Sequence, residues 1–219
     1  MAAFSLALEQ GADGLELDVM LCGSGEVVVC HDADLSRLAG DDRFVRSLPW
    51  EELSGISLRD GGKIPLLSEV LVDLPIQASI NVELKIFGNA EVIPLCRAVT
   101  RCLRKYAGKR QIVISSFHPG VLLWFRMAYP AIARGALFHK EQRWPGAYAP
   151  FVCADAMHPQ AVLVTAENMR RWEERGLRTH VWTVDEPEEA KRLARLGVTS
   201  IITNVPGVLC ELFANRVQS

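Results

Sequence analysis

Gly14-Leu15-Glu16-Leu17-Asp18-Val19, followed by Val27-Val28-Val29-Cys30-His31-Asp32, is the stretch from which the rest of the chain is read. Apolar residues alternate with Glu16 and Asp18, so a strand over Leu15–Val19 sends both carboxylates to one side. Two carboxylates held together among Leu15, Leu17 and Val19 repel each other and lose water. That arrangement is costly unless a cation sits between them. A second strand over Val27–His31 ends on an imidazole, a group able to move a proton beside that cation. Gly23-Ser24-Gly25 between the two strands reads as a hairpin-type turn, so this pair is expected to be antiparallel.

Outward from this motif the chain alternates strands with helices. An amphipathic helix over Ala2–Gln10 stops at Gly11. Residues 32–64 are polar and rich in Asp, Arg and Gly, with one short helix at Pro49-Trp50-Glu51-Glu52-Leu53, and read as a small insertion over one end of the domain. A helix over Leu66–Leu74 follows Pro65. Strands are then expected at Ser79–Leu84, Gln111–Phe117, Ala133–Phe138, Ala154–His158, Arg178–Val184 and Ser200–Thr203. Helices fall between them at Ala90–Tyr106, Pro119–Ala128, Ala166–Arg175 and Pro187–Leu196. Helical crossovers imply parallel pairing of right-handed connection. With Leu15–Val19 this makes seven strands of the βα type. The reading is an α/β fold of the TIM (β/α)8 type, one barrel domain over residues 1–219, its first strand lying before Met1.

Composition narrows the function. The 219 residues suit a single large barrel domain, and 49% hydrophobic content supplies its core. The net charge of -2 argues against a nucleic-acid partner. No apolar run approaches the length of a membrane span. The six cysteines include no CxxC pair and read as reduced, mostly buried thiols. With no signal peptide visible, the expected location is cytoplasmic.

A second motif repeats the logic of the first. In Asn81-Val82-Glu83-Leu84-Lys85, Glu83 and Lys85 share one face at the end of a strand. That end carries the active site in parallel barrels. Glu83 can complete a carboxylate metal site with Glu16 and Asp18, and Lys85 can hold a phosphate as a point charge. The bland alternative is a Glu–Lys ion pair. Three carboxylates suit a hard divalent cation, Mg²⁺ or Ca²⁺, and no Cys/His spacing suits zinc. His118 and His158 end strands and can face the site, His139 reads as a loop residue and His180 as structural. Trp182 can wall a substrate alcohol or pack in the core. Ile202-Thr203-Asn204 can touch ligand or cap a turn.

Together these stretches resemble the glycerophosphodiester phosphodiesterase family. The resemblance runs in order through Gly11-Ala12-Asp13-Gly14, Glu16-Leu17-Asp18-Val19, Val29-Cys30-His31-Asp32, Ile64-Pro65, Asn81-Val82-Glu83-Leu84-Lys85, Ser115-Ser116-Phe117, Val181-Trp182-Thr183-Val184 and Ile201-Ile202-Thr203-Asn204. It implies a TIM barrel in which Glu16, Asp18 and Glu83 ligate a metal, His31 is one of two catalytic histidines, and Lys85 lies near the phosphate. The implied reaction is metal-dependent hydrolysis of a glycerophosphodiester to glycerol phosphate and an alcohol. The family normally opens on a strand carrying His-Arg-Gly, which has no counterpart here; Thr199-Ser200 and Asn204 also depart from the usual Asp-Gly and Asp. Two expectations follow: an enzyme whose second histidine lies upstream, or a truncated or divergent barrel that binds metal and phosphate without chemistry.

Overall fold

The computed structural model describes residues 1–106, 108–143 and 145–214. These fall into two compact units, the first comprising Met1–Ser5 with Leu15–Ile112, the second Leu6–Gly14 with the residues from Val113 onward. Helix α1 (Ala2–Glu9) belongs in part to each. It ends at Gly11, whose φ of +94° suits glycine, as its sequence signal implied. None of its residues is buried, and Phe4, Ala7 and Leu8 on its apolar face are half-buried.

In the first unit, β1 (Gly14–Leu21) lies between β2 (Val27–Val29) and a later strand, β5 (Ser79–Leu84). β1 and β2 pair antiparallel in the register Val19 to Val29 and Leu21 to Val27, as the glycine turn between them implied. Burial along β1 alternates: Leu15, Leu17 and Val19 are buried, while Glu16 and Asp18 on the other face are only half-buried. Pairing runs on past β2, because the Cys30 N–H donates to the Asp18 carbonyl at 3.0 Å. That bond carries His31 to the level of the carboxylates.

The segment over residues 32–64 is more structured than its polar composition suggests. It contains a hairpin of β3 (Asp34–Leu35) and β4 (Asp41–Phe44), with α2 (Ser36–Ala39) between them, and then α3 (Trp50–Leu53). Strands this short and this rich in Asp leave no periodic signal. The segment also has an apolar centre. Leu35, Val45 and Leu53 are fully buried and pack with Met20, Cys22, Val28 and Cys30. Helix α4 (Leu67–Asp73) starts where the Glu69 carboxylate reaches back to accept from the Leu66 N–H at 2.8 Å. Helix α5 (Val92–Leu103) buries Val92, Leu95, Cys96, Val99 and Leu103, the one-face spacing of a helix.

The second unit is the run β6 (Ile112–Ser116), α6 (Pro119–Ala128), β7 (Ala133–Phe138), β8 (Ala156–Pro159), α7 (Ala166–Glu173), β9 (Arg178–Val181), α8 (Pro187–Arg195), β10 (Ser200–Ile201) and α9 (Pro206–Ala214). Its strands pair in parallel in chain order from β6 to β10. All seven strands expected to be of the βα type are present. Asp185 ties the chain after β9 to the chain after β10: it accepts from the Asn204 N–H, the Asn204 amide and the Thr203 hydroxyl at 2.8–2.9 Å. Asn204 and Thr203 therefore cap this turn. The six cysteines are all free thiols; Cys22, Cys30 and Cys96 are buried as expected, but Cys153 is exposed.

Gly135 on β7 shows why one position admits no side chain. A Cβ there would stand 2.3 Å from His158 Nε2, because the His158 ring, fully buried, lies across the glycine. Gly135→Ala is expected to destabilise the chain by roughly 1–3 kcal/mol through overpacking. Combined with His158→Ala, it should cost less than the sum of the two single substitutions, read by a double-mutant cycle in urea denaturation. Strict additivity would show that the ring can move aside.

Candidate metal and phosphate site

The site is built on the ends of β1 and β5. Alternation along β1 puts Glu16 and Asp18 on one face, and alternation along β5 puts Asn81 and Glu83 on another. Pairing of the two strands continues to Lys85, whose N–H donates to the Val19 carbonyl at 3.0 Å. The result brings Glu16, Asp18 and Glu83 together, each offering a carboxylate oxygen within 4.8 Å of the others. Among the described residues no other group of three or more potential ligands converges in this way.

The electrostatics are those of a site short of positive charge. At an effective dielectric of about 20, two ionised carboxylates about 5 Å apart repel by about 3 kcal/mol. Burial pushes the Glu16 carboxyl up to about 8, with Asp18 and then Glu83 adding to the rise. Burial, with Asp18 next, pushes Glu83 up to about 7. Lys85 is the internal answer to this charge: its Nζ lies 3.0 Å from Asp18 Oδ1 and 3.0 Å from Glu83 Oε1. Burial works to lower the Lys85 pKa, but the two carboxylates outweigh it and the net shift is upward. One ammonium does not satisfy three carboxylates. Glu16 Oε1 is buried with no hydrogen-bond partner. The Glu83 Oε1 contact has the distance of an ion pair without the angle of a hydrogen bond, and that oxygen is likewise left without a hydrogen bond. Asn81 Oδ1, two residues before Glu83, is a further buried acceptor with none. Three converging carboxylates, two of them with a buried oxygen that lacks a hydrogen bond, fit a hard divalent cation.

His31 lies at the rim with its side chain 66% exposed, its Nδ1 2.7 Å from Asp32 Oδ1. Asp32 is itself held by Arg37, whose Nε donates to Oδ2 at 2.6 Å. The Arg37 bond first, then the His31 contact, lowers the Asp32 pKa. The field of His31 also reaches Glu83. His31, Glu16, Asp18, Glu83 and Lys85 thus share one unit.

The remaining candidates lie in the second unit, in other settings. His118 is the N-cap of α6, its Nδ1 accepting from the Gly120 N–H at 3.1 Å. Trp182 donates its indole N–H to the His158 carbonyl at 2.8 Å and meets Phe117 edge-on at 5.7 Å between ring centres. His158 is wholly buried with its ring centre 4.6 Å from that of His180, the two rings tilted by 33°, and burial drives both imidazoles to lower pKa. His139 pairs with Glu141. Sequence reasoning missed a cavity of about 220 Å³ lined by Lys85 with Arg46, Phe87 and Glu91 among others. These residues come from distant segments with no shared period, so nothing short of the fold could bring them together.

Residues 1–208 match the model of the glycerophosphoryl diester phosphodiesterase family, and the chain belongs to that family. It is 30% identical to a glycerophosphodiester phosphodiesterase of Caldanaerobacter subterraneus, over 97% of this chain and 90% of that protein. It is 32% identical to one from Bacillus altitudinis, over 94% of this chain and 88% of that protein. Among solved structures it resembles a Thermotoga maritima glycerophosphodiester phosphodiesterase, with a TM-score of 0.76 and 28% identity over 96% of this chain and 90% of that one. An Oleispira antarctica phosphodiesterase in complex with the product sn-glycerol-3-phosphate superposes with a TM-score of 0.88 at 22% identity, covering 97% of this chain and 90% of that one. The fold is therefore the α/β barrel of that family.

The raised carboxyls fix the sign of a pH dependence. Glu16 and Glu83 keep their protons in the folded chain up to about 8 and about 7, well above their ordinary 4.5. Across that window the folded state holds more protons than the unfolded one, so metal-free stability falls as pH rises and levels off above it. A divalent cation bound by these carboxylates would compete with those protons. The rise in Tm on adding cation should therefore be larger at about pH 8.5 than at about pH 5.5. Scanning calorimetry at both pH values, with Glu83→Gln beside the parent chain, checks this. An equal rise in both proteins would remove Glu83 from the metal site.

Proposed function

We propose that this chain hydrolyses small glycerophosphodiesters to glycerol phosphate and an alcohol, with a divalent cation, Mg²⁺ or Ca²⁺, held by Glu16, Asp18 and Glu83. Membership of the phosphodiesterase family supports a phosphodiester hydrolase. The observation that carries the site is the convergence of the three carboxylates within 4.8 Å. When bound, a hard cation there would polarise a phosphoryl oxygen and offset the charge that develops on it.

The chain's own residues do the rest. Lys85 sits against the carboxylates and can turn its ammonium to a phosphate oxygen once a second cation shares their charge. Asp32 fixes His31 through Nδ1, which leaves Nε2 as the atom that takes or gives the proton. Arg37 keeps Asp32 ionised and in place. His118 and Trp182 are proposed as substrate contacts, beyond their capping and packing roles. The chain is proposed to work as a single barrel domain over residues 1–219 with the 32–64 segment as an insertion. No helix among the described residues is long and apolar enough to cross a membrane. The free thiols fit a reducing, cytoplasmic setting, and the net charge of -2 gives no reason to expect nucleic acid.

A second reading is a binder of metal and phosphate without turnover. It is favoured by one observation: His31 is the only histidine of the unit that holds the carboxylates, and two-step proton transfer calls for two groups. Hydrolysis of glycerophosphodiesters by the 219-residue chain with Mg²⁺ or Ca²⁺ separates the two. Cation binding without turnover supports the binder. In an active preparation, His31→Ala should lower kcat by about 10²–10⁴ while leaving cation affinity by calorimetry nearly unchanged. Near-normal kcat would assign His31 to structure.

A further inference from the structure

We infer that the outward face of helix α5 docks this chain on the surface of an anionic phospholipid bilayer. Between Val92 and Ile112 the sequence holds six of the chain's 24 Lys and Arg residues and no Asp or Glu, in a chain whose net charge is -2. Helix α5 sorts them by period. Its buried residues, among them Val92, Leu95, Cys96, Val99 and Leu103, take one face. The opposite face carries Arg97 and Arg101 and runs on to Arg104 just past the helix end, at spacings of four and three, with Lys105 beside them, all exposed. Ile93, 50% exposed, stands one turn before Arg97 on that face. Lys105 lies at the border with α4, where it lines a cavity with Glu69 and Asp73, so the three arginines form the centre of the charge.

The chain balances the cations of its other helices from within. On α7, Arg171 pairs with Glu167 at 2.6 Å, and on α8, Lys191 and Arg192 pair with Glu188 and Glu189 at 2.7 Å. Among the described residues no carboxylate forms an ion pair with Arg97, Arg101 or Arg104. Like charges at these spacings destabilise a helix, so the stripe costs the fold and gains only from an anion outside it. The form of the stripe selects a bilayer. From Arg97 to Lys105 it runs about 12 Å along one side of the helix, at about 1.5 Å per residue, and a plane of headgroup phosphates meets such a line along its whole length. A cluster of about four cations on an amphipathic helix is enough to recognise acidic lipid. The long arginine stems let the guanidinium groups reach the phosphates while Ile93 enters between headgroups. Nucleic acid is served less well. The one aromatic residue between Val92 and Ile112 is Tyr106, and its ring already takes the Lys105 ammonium at 5.0 Å and the Arg110 guanidinium at 5.4 Å, so it is not free to stack on a base.

The test is co-sedimentation of the 219-residue chain with vesicles of phosphatidylcholine alone and of phosphatidylcholine and phosphatidylglycerol in equal parts. The chain should bind the anionic vesicles at about 0.1 M salt and leave them at about 1 M, where the screening length falls from about 10 Å to about 3 Å. It should not bind the phosphatidylcholine vesicles. Arg97→Gln, Arg101→Gln and Arg104→Gln should each weaken binding about fivefold, and all three together about a hundredfold. The triple variant should keep the Tm of the parent or exceed it, because like charges are removed from one face. Taking the same charge from α7 and the turn after it, by Arg170→Gln, Arg171→Gln and Arg175→Gln, should weaken binding far less. Equal losses in the two triple variants would reduce the effect to net charge and overturn the proposal. So would failure to bind the anionic vesicles at low salt. Binding of duplex DNA but not of vesicles, lost in the α5 triple variant, would give the face to nucleic acid and overturn it as well.

Discussion

Three carboxylates are held where at most one would rest easily. Glu16, Asp18 and Glu83 converge because two adjacent strands each present alternate residues to one side. Their mutual repulsion, about 3 kcal/mol for an ionised pair at an effective dielectric of about 20, is sustained by the buried apolar residues on the reverse of the same strands. Leu15, Leu17 and Val19 on β1 and Val82 and Leu84 on β5 are at most 9% exposed. Burial of that face fixes where the carboxylates stand, and a cation relieves the charge that burial imposes. The raised acids and the half-buried lysine are consequences of that one arrangement.

The lysine gives the site two roles with one side chain. In contact with Asp18 and Glu83, Lys85 neutralises part of their charge. Under the proposed function, the same ammonium beside the cavity would meet a substrate phosphate. Both roles draw on the position of Lys85 at the end of β5, where the strand stops and the chain turns toward α5. The residues that shape the cavity beyond it, Phe87 and Glu91, lie on that same connection.

Much of this was legible in the sequence because it follows from period two. Glu16 with Asp18, and Glu83 with Lys85, share faces by alternation alone, and the glycine turn at Gly23-Ser24-Gly25 fixed the antiparallel β1–β2 pair. The seven strands of the βα type also stood out, since helical and extended periods alternate plainly after Pro75. The hairpin of β3 and β4 did not, because two- and four-residue strands rich in Asp carry no period. The buried centre beneath it was equally hidden, its apolar residues being scattered singly among charged ones.

Other features depend on through-space neighbours and have no linear trace. His118 caps a helix because the chain turns there to place Gly120 N–H against its ring. Gly135 has no side chain because the His158 ring, from the next strand, fills that space. Arg46 and Glu91 come within 3.6 Å across 44 intervening residues, and both line the same cavity. The sequence by itself determined the strand faces, the carboxylate pairs and the family, since each is set by local alternation or by motif order. The tertiary structure decided how far the carboxylates converge, what Lys85 and His31 touch, and which residues enclose the space beside them. Those are distances between segments, and distance between segments is set by packing.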